Sequence, residues 1–262
     1  MRCGYMLVNT NGKNMNISYA VTVCDEFVEM RKLMNTLSKS IQLGDEIIIL
    51  IDVSKPDSLP IKEWLVSYNS TSLYNIKILE TEFKGDFSAH KNLLSSYCSC
   101  EYIFQLDADE LPPVELMSKL PSIVSAYPTV DLFYVPRINI VEGITLDYVN
   151  EQRWNVSKLE SFVDGKHIEN ITDGTMSLLR HYNLIISETD GFVEYYEPII
   201  NAWDYQSRIY KNKPSIKWSG KVHETIVGSE KHTKLPMDED FALYHYKSFE
   251  RQISQNDFYE SL

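Results

Sequence analysis

The chain has 262 residues, 44% of them hydrophobic and 24% charged, with a formal net charge of −12. That is the balance of a soluble globular protein with enough length for a substantial core, and the acidity argues against a non-specific grip on nucleic acid or an anionic membrane. No run approaches the ~18 consecutive apolar residues of a membrane span. Cys3, Cys24, Cys98 and Cys100 form no CxxC pair, so neither a disulfide framework nor a zinc site is indicated and a cytoplasmic location is expected.

In chain order, residues 1–15 read as a polar leader and 16–262 as one domain. Ile17 to Cys24 is a buried strand. A helix then starts near Asp25 or Glu26, with Phe27, Met30, Leu33, Met34, Leu37 and Ile41 at helical spacing. Gly44-Asp45 turns the chain into Glu46–Asp52, a strand apolar on both faces and therefore central and parallel. A helix near Ile61 to Tyr68, a strand from Ile76 to Glu80, a helix capped by Ser88 and reaching about Ser99, and a strand from Tyr102 to Asp107 follow. This β-α alternation predicts an α/β fold, a mostly parallel central sheet with helices on both faces and a ligand site along the carboxyl ends of the strands.

Past residue 112 the pattern changes. A helix from Val114 to Tyr127 precedes one or two strands between Leu132 and Val141. Residues 145–173 are irregular, and short strands are predicted at Thr175–Arg180, Tyr205–Tyr210, Val222–Ile226 and Phe241–Tyr246. Residues 113–262 could therefore extend the sheet and supply lids over a site at the strand ends of 16–112, with no clean domain boundary between them.

The chemistry gathers at Asp107-Ala108-Asp109-Glu110, where an apolar strand ends in acids and Pro112-Pro113 stops it. In an extended chain residues i and i+2 point the same way, so Asp107 and Asp109 could address one divalent cation carrying phosphates. Standing alone, a strand running into a solvated acidic turn accounts for the stretch equally well. Asp52 ends the second strand in the same manner, and the later half adds Arg208-Ile209-Tyr210-Lys211, Trp218-Ser219-Gly220-Lys221-Val222-His223-Glu224 and Tyr244-His245-Tyr246.

In that order the set resembles the family-2 glycosyltransferases of GT-A fold, specifically bacterial and phage members with a Val-His-Glu segment. The resemblance spans roughly residues 16–262. It implies transfer of a sugar from a nucleoside diphosphate, with a UDP-sugar as the expected donor, by an inverting route dependent on Mn²⁺ or Mg²⁺. It assigns Asp52 to the nucleotide, Lys91 and Asn92 to the nucleotide face, and Asp107, Asp109 and His245 to the metal. Glu224 becomes the first choice for the base that takes the acceptor proton, with Asp109 and Glu110 as competitors. Arg208 and Lys211 are plausible diphosphate or acceptor contacts, although an exposed strand could carry both without a function. Trp154, Trp203 and Trp218 are candidates for stacking on sugars and are more often core. The expected acceptor is a surface glycan such as lipopolysaccharide, or a hydroxymethylated DNA base, without stable membrane insertion.

Two other classes compete. A phosphotransferase could use Asp107 as nucleophile, but such enzymes carry the motif on their first strand and follow it with small residues rather than Glu110-Leu111. A binding module could retain the fold and have lost the reaction. A zinc protease is excluded, because Val227 stands where His-Glu-x-x-His needs its second histidine.

Overall fold

The computed structural model describes residues 15–163, 166–167, 185–189 and 192–260. The expected leader, apart from Met15, and the expected strand Thr175–Arg180 lie outside them. Its contacts gather into two compact units, each assembled from two stretches of chain: Met1–Pro136 with Tyr205–Leu243, and Arg137–Asp204 with Tyr244–Leu262.

The first unit contains β1 (Ile17–Val23), α1 (Phe27–Ser40), β2 (Glu46–Asp52), α2 (Ser58–Thr71), β3 (Asn75–Thr81), α3 (Phe87–Ser95), β4 (Tyr102–Asp107), β5 (Glu110–Leu111) and α4 (Val114–Ala126). The strands lie in the order β3-β2-β1-β4, all parallel. Residues 209–211, at the end of the 20-residue β10 (Phe192–Lys211), continue the sheet antiparallel to β4. The mixed α/β class with a mostly parallel core is as expected from the sequence.

The alternation of side chains decides the two faces. Tyr19, Val21, Ile47, Ile49, Ile51, Tyr102, Phe104 and Leu106 pack with Met30, Leu33, Met34 and Leu37 of α1 and Leu116, Met117 and Leu120 of α4. Ala20, Ile48, Leu50 and Ile103 point the other way, toward Leu94 of α3 and toward Tyr210, Trp218 and Ile226. Both faces being covered explains why β2 is apolar throughout, with every one of its residues buried.

Several local expectations change. Helix α2 begins at Ser58 rather than Ile61 and carries Pro60 in its first turn, where a missing amide breaks no helical bond. Helix α3 is capped by Asp86, whose side chain accepts from the Ala89 amide at 2.9 Å; the Ser88 hydroxyl is instead given to the Gly220 carbonyl. The single strand expected at Val222–Ile226 is a hairpin of β11 (Lys217–Ser219) and β12 (Thr225–Val227). Positive φ at Gly220 (107°) and His223 (54°) breaks it, and a side chain at 220 would meet the Glu224 Cα and Val222 carbonyl at 3.4 Å.

In the second unit, α5 (Leu146–Glu151) packs near β9 (Ile185–Thr189), and β7 (Val156–Val163) pairs with both β10 and β8 (Lys166–His167). The later part of β6 (Leu132–Glu142) and most of β14 (Leu243–Ser248) belong here, as does α6 (Phe249–Glu260). Val141, Ile144, Val149, Ile185 and Ile200 form its small core. No helix among the described residues is long and apolar enough to cross a membrane.

Candidate active site at the carboxyl end of the parallel strands

Strand β4 stops at Asp107, and Ala108-Asp109 turn the chain back into β5. Asp107 and Asp109 are therefore not successive residues of an extended strand, as the sequence suggested; Asp109 sits in the turn, half-buried. The Ala108 amide bonds the Thr22 carbonyl at 3.0 Å, which secures the turn to the end of β1.

Around Asp107 the unit assembles an ionic network. The Thr22 hydroxyl donates to Oδ1 at 2.7 Å, Arg208 Nη2 donates to Oδ2 at 2.8 Å, and Lys91 Nζ lies 3.2 Å from Oδ1 and 3.3 Å from Oδ2. Burial alone would raise the Asp107 pKa. The Lys91 and Arg208 charges and the Thr22 hydrogen bond prevail and hold it well below the usual carboxylate range. Asp107 is a committed anion.

Arg208 also binds Glu110 Oε1 at 2.5 Å, and Glu110 Oε2 receives the Asp107 amide at 3.2 Å. Glu110 is fully buried and the Arg208 side chain only 4% exposed. Burial works against the guanidinium's charge, but Glu110 and Asp107 outweigh it and raise its pKa further. Arg208, expected at a diphosphate, is thus an internal brace, and Glu110 is its counter-ion rather than an accessible base.

Glu224 arrives from the β11–β12 hairpin, its side chain 15% exposed, and accepts from Lys91 Nζ at 2.6 Å through Oε1. Its Oε2 has no hydrogen-bond partner among the described residues. Helix α3 holds the hairpin in place. Both ends of the Asn92 amide bind the Trp218 backbone at 2.9 Å, and the Phe87 amide bonds the Lys221 carbonyl at 3.1 Å. The Trp218 ring is buried beneath Lys91, with Nζ 4.9 Å from a ring centroid. Asn92 is therefore a clamp on the hairpin, and Trp218 is core rather than a sugar platform.

Asp52, at the neighbouring strand end, accepts from the Ser54 and Phe83 amides at 2.9 and 3.0 Å. Against the upward pull of burial, these hydrogen bonds lower its pKa. Phe83 packs against Phe87 at 4.6 Å and against His90 at 5.6 Å, so an aromatic group adjoins this carboxylate.

The remaining expected residues have other partners. Lys211 pairs with Tyr102, at the opposite end of β4 from Asp107, and its ammonium binds the Pro128 carbonyl at 2.6 Å and Asp131 at 3.3 Å. The structure does not bring it to the acids. His245 belongs to the second unit, where Nδ1 is 2.8 Å from Asn139 Oδ1. Trp154 packs edge-on against Tyr148 in that unit, and Trp203 is half-buried on β10.

Thr22 and the bracing role of Glu110 were missed in the sequence. A parallel β1–β4 pairing brings Thr22 opposite Asp107, but nothing local to either strand announces it.

The donor chemistry at Asp107 and Asp109 suits a hard divalent cation. Among the described residues no three His, Cys, Asp or Glu side chains close a cage, and Mg²⁺-type sites commonly use one or two carboxylates with phosphate and water completing the shell. An ammonium already lies against both oxygens of Asp107, which marks the position as one that attracts cations.

No family model and no curated protein matches the chain. Among solved structures, S. aureus TarS 1–349 in complex with UDP is 13% identical, with a TM-score of 0.48 over 94% of this chain and 64% of that one. GalNAc-T7 with UDP, GalNAc and Mn²⁺ is 13% identical, with a TM-score of 0.46 over 91% and 45%. The mannosyltransferase PcManGT from Pyrobaculum calidifontis, in complex with GDP-Man and Mn²⁺, is 16% identical, with a TM-score of 0.39 over 48% and 36%. The chain spans less than two thirds of the length of each. Likeness of this extent says nothing about activity, which has to be argued from the side chains.

Proposed function

We propose that the chain is a nucleotide-sugar glycosyltransferase that moves a sugar from a UDP-sugar to an acceptor hydroxyl with inversion, aided by Mn²⁺ or Mg²⁺. The observation that carries the reading is the ionised Asp107 beside Asp109, with Glu224 joined to the same cluster through Lys91. An anionic acceptor of cations and a carboxylate with one oxygen uncommitted are the two groups that this transfer requires.

Asp109 and Asp107 would hold the cation, and His245 is retained as a further ligand on the family resemblance alone. When bound, the cation would neutralise charge growing on the departing diphosphate. Glu224 takes the acceptor proton while the acceptor oxygen bonds to the anomeric carbon and the bond from that carbon to the β-phosphate oxygen breaks. Asp52, with Phe83 and Phe87 beside it, would receive the base or ribose. A surface glycan suits the chain better as acceptor than DNA, since a net charge of −12 repels a polyanion.

The phosphotransferase alternative loses ground for a physical reason. Both oxygens of Asp107 accept hydrogen bonds, two of the three donors being cationic, and an anion stabilised in this way is a poor nucleophile.

The test is a panel of nucleotide-sugars with Mn²⁺, following release of nucleoside diphosphate and donor binding by calorimetry. Binding and release with at least one UDP-sugar are expected, and Asp109→Ala should abolish the metal-dependent part of binding. No binding of any donor overturns the reading, and unchanged affinity in the variant overturns the metal assignment.

A further inference from the structure

A carboxylate offers about four lone-pair positions, and Asp107 already accepts three hydrogen bonds, with the Lys91 ammonium also against Oδ1. Oδ1 takes Thr22 at 2.7 Å and Lys91 at 3.2 Å; Oδ2 takes Arg208 at 2.8 Å and Lys91 at 3.3 Å. The Asp107 side chain is 31% exposed, so a divalent cation can approach it, but full coordination would require one donor to give way. Thr22 sits on the neighbouring parallel strand and has the shortest bond of the set. Arg208 is anchored a second time, by the fully buried Glu110 at 2.5 Å, and leaving Asp107 would not free it to follow. Lys91 makes the two longest contacts, has a flexible stem, and already holds a second carboxylate, Glu224, at 2.6 Å.

From this ranking we infer that Lys91 is the resident cation of the donor-free site: it bridges Asp107 and Glu224, competes with the divalent ion for Asp107, and shifts wholly onto Glu224 when that ion arrives. The inference rests on the reading proposed above and adds to it a coupling between the donor half of the site and its base. While Lys91 bridges the two acids, its single charge is shared between them and Arg208 adds to it at Asp107, so a bare metal ion meets two cations already at the carboxylate it would bind. Once a metal and its diphosphate take over Asp107, Lys91 remains beside Glu224 and next to the phosphate charge. The site would therefore favour the metal–donor pair over free metal.

The consequence runs against the usual expectation for a binding-site lysine. Removing Lys91 should tighten the binding of free Mn²⁺, since a charge that excludes the ion has gone. The experiment is Mn²⁺ titration of the donor-free protein, read by electron paramagnetic resonance, for the wild type, K91M and K91R. K91M should bind Mn²⁺ at least about tenfold more tightly, because unit charges ~4 Å apart interact strongly at partly buried sites. K91R, which keeps the charge, should stay within about threefold of the wild type. K91Q serves as a second neutral variant, and thermal melting identifies any variant that fails to fold. Unchanged or weaker Mn²⁺ binding in a folded neutral variant overturns the inference, as does the same tightening in K91R. The outcomes remain separable from those of the transferase reading. A wild type that binds and cleaves a donor while K91M shows unaltered Mn²⁺ affinity removes this inference alone, whereas a wild type that binds no donor removes the reading beneath it.

Discussion

The two ends of the parallel sheet both hold buried carboxylates, and they treat them differently. At the amino end, Glu46 accepts from the Ser18 hydroxyl at 2.6 Å, the Ser99 amide at 2.5 Å, the Ser99 hydroxyl at 3.0 Å and the Cys100 amide at 3.3 Å. Asp45 beside it takes the Ile17 and Gln42 amides, both at 2.9 Å. Every one of these donors is neutral. At the carboxyl end, Asp107, Glu110 and Glu224 are held chiefly by Lys91 and Arg208, from elements about 100 residues or more away in sequence in three of the four contacts. Neutral donors, like the backbone amides that also hold Asp52 at the carboxyl end, leave no cation for an incoming ion to exchange. Cations on side chains hold their acids just as firmly in the resting protein, yet an incoming cation can replace them. The first arrangement is a clamp and the second has the makings of a site.

The largest effect should come from cutting the brace. Arg208→Met leaves the fully buried Glu110 without its cation and Asp107 with only Lys91 and Thr22, and loss of one partner from a buried pair costs about 3–5 kcal/mol. Glu46→Gln keeps the shape and part of the hydrogen bonding, so about 1–2 kcal/mol is expected. Urea unfolding of the two variants compares the ends directly, and equal losses would dissolve the distinction.

Catalysis sharpens the comparison next. Glu224→Gln should leave donor affinity intact and reduce turnover by about 10²–10⁴-fold, the range for a lost general base; steady-state transfer and calorimetry on one preparation separate the two. Survival of transfer would place the base elsewhere.

Acid should also distinguish the ends. The Asp107 pKa is far below its ordinary value of ~3.9, so its pairing contributes fully above that ordinary value and is lost as pH falls through the lower, folded one. Glu46 is lowered as well, since its neutral donors overcome burial, but less far. Asp107→Asn should therefore flatten the loss of stability below pH ~4 more than Glu46→Gln does. An identical acid limb in both variants would contradict this.

The smallest effect belongs to Lys211→Ala. Asp131 keeps Lys213 at 2.9 Å and the Glu230 and Lys231 amides at 3.2 and 3.3 Å, so the loss should stay below about 1 kcal/mol. Nucleotide affinity should be unaltered, as befits a residue at the far end of β4. A clear fall in affinity would return Lys211 to the site.

Much of the parallel half was legible because its signals are local. The apolar run of β2, the helical spacing of α1 and the acids after β4 each lie within one short segment, where period and punctuation suffice. Helix α6, the hairpin around Gly220 and all of β10 before Tyr205 were not legible in this way. Glu250, Gln252 and Asn256 make α6 too polar to show a clear apolar stripe, and the part of β10 outside the expected Tyr205–Tyr210 is interrupted by register shifts in its pairing.

For the site, the sequence by itself determined which chemical groups were available: Asp52, Asp107, Asp109, Lys91, Arg208 and Glu224, with their residue types matched to cation and proton chemistry. Tertiary structure alone decided which groups face each other. It turned Arg208 inward onto Glu110, made Asn92 a clamp on the Trp218 backbone, carried Lys211 to the other end of β4, and put Lys91 between Asp107 and Glu224. The physical reason is that an ion pair depends on the distance between two side chains. When the partners are separated by 133 residues, as Lys91 and Glu224 are, that distance is set by sheet order and by one hairpin's docking on α3, neither of which is written near either residue.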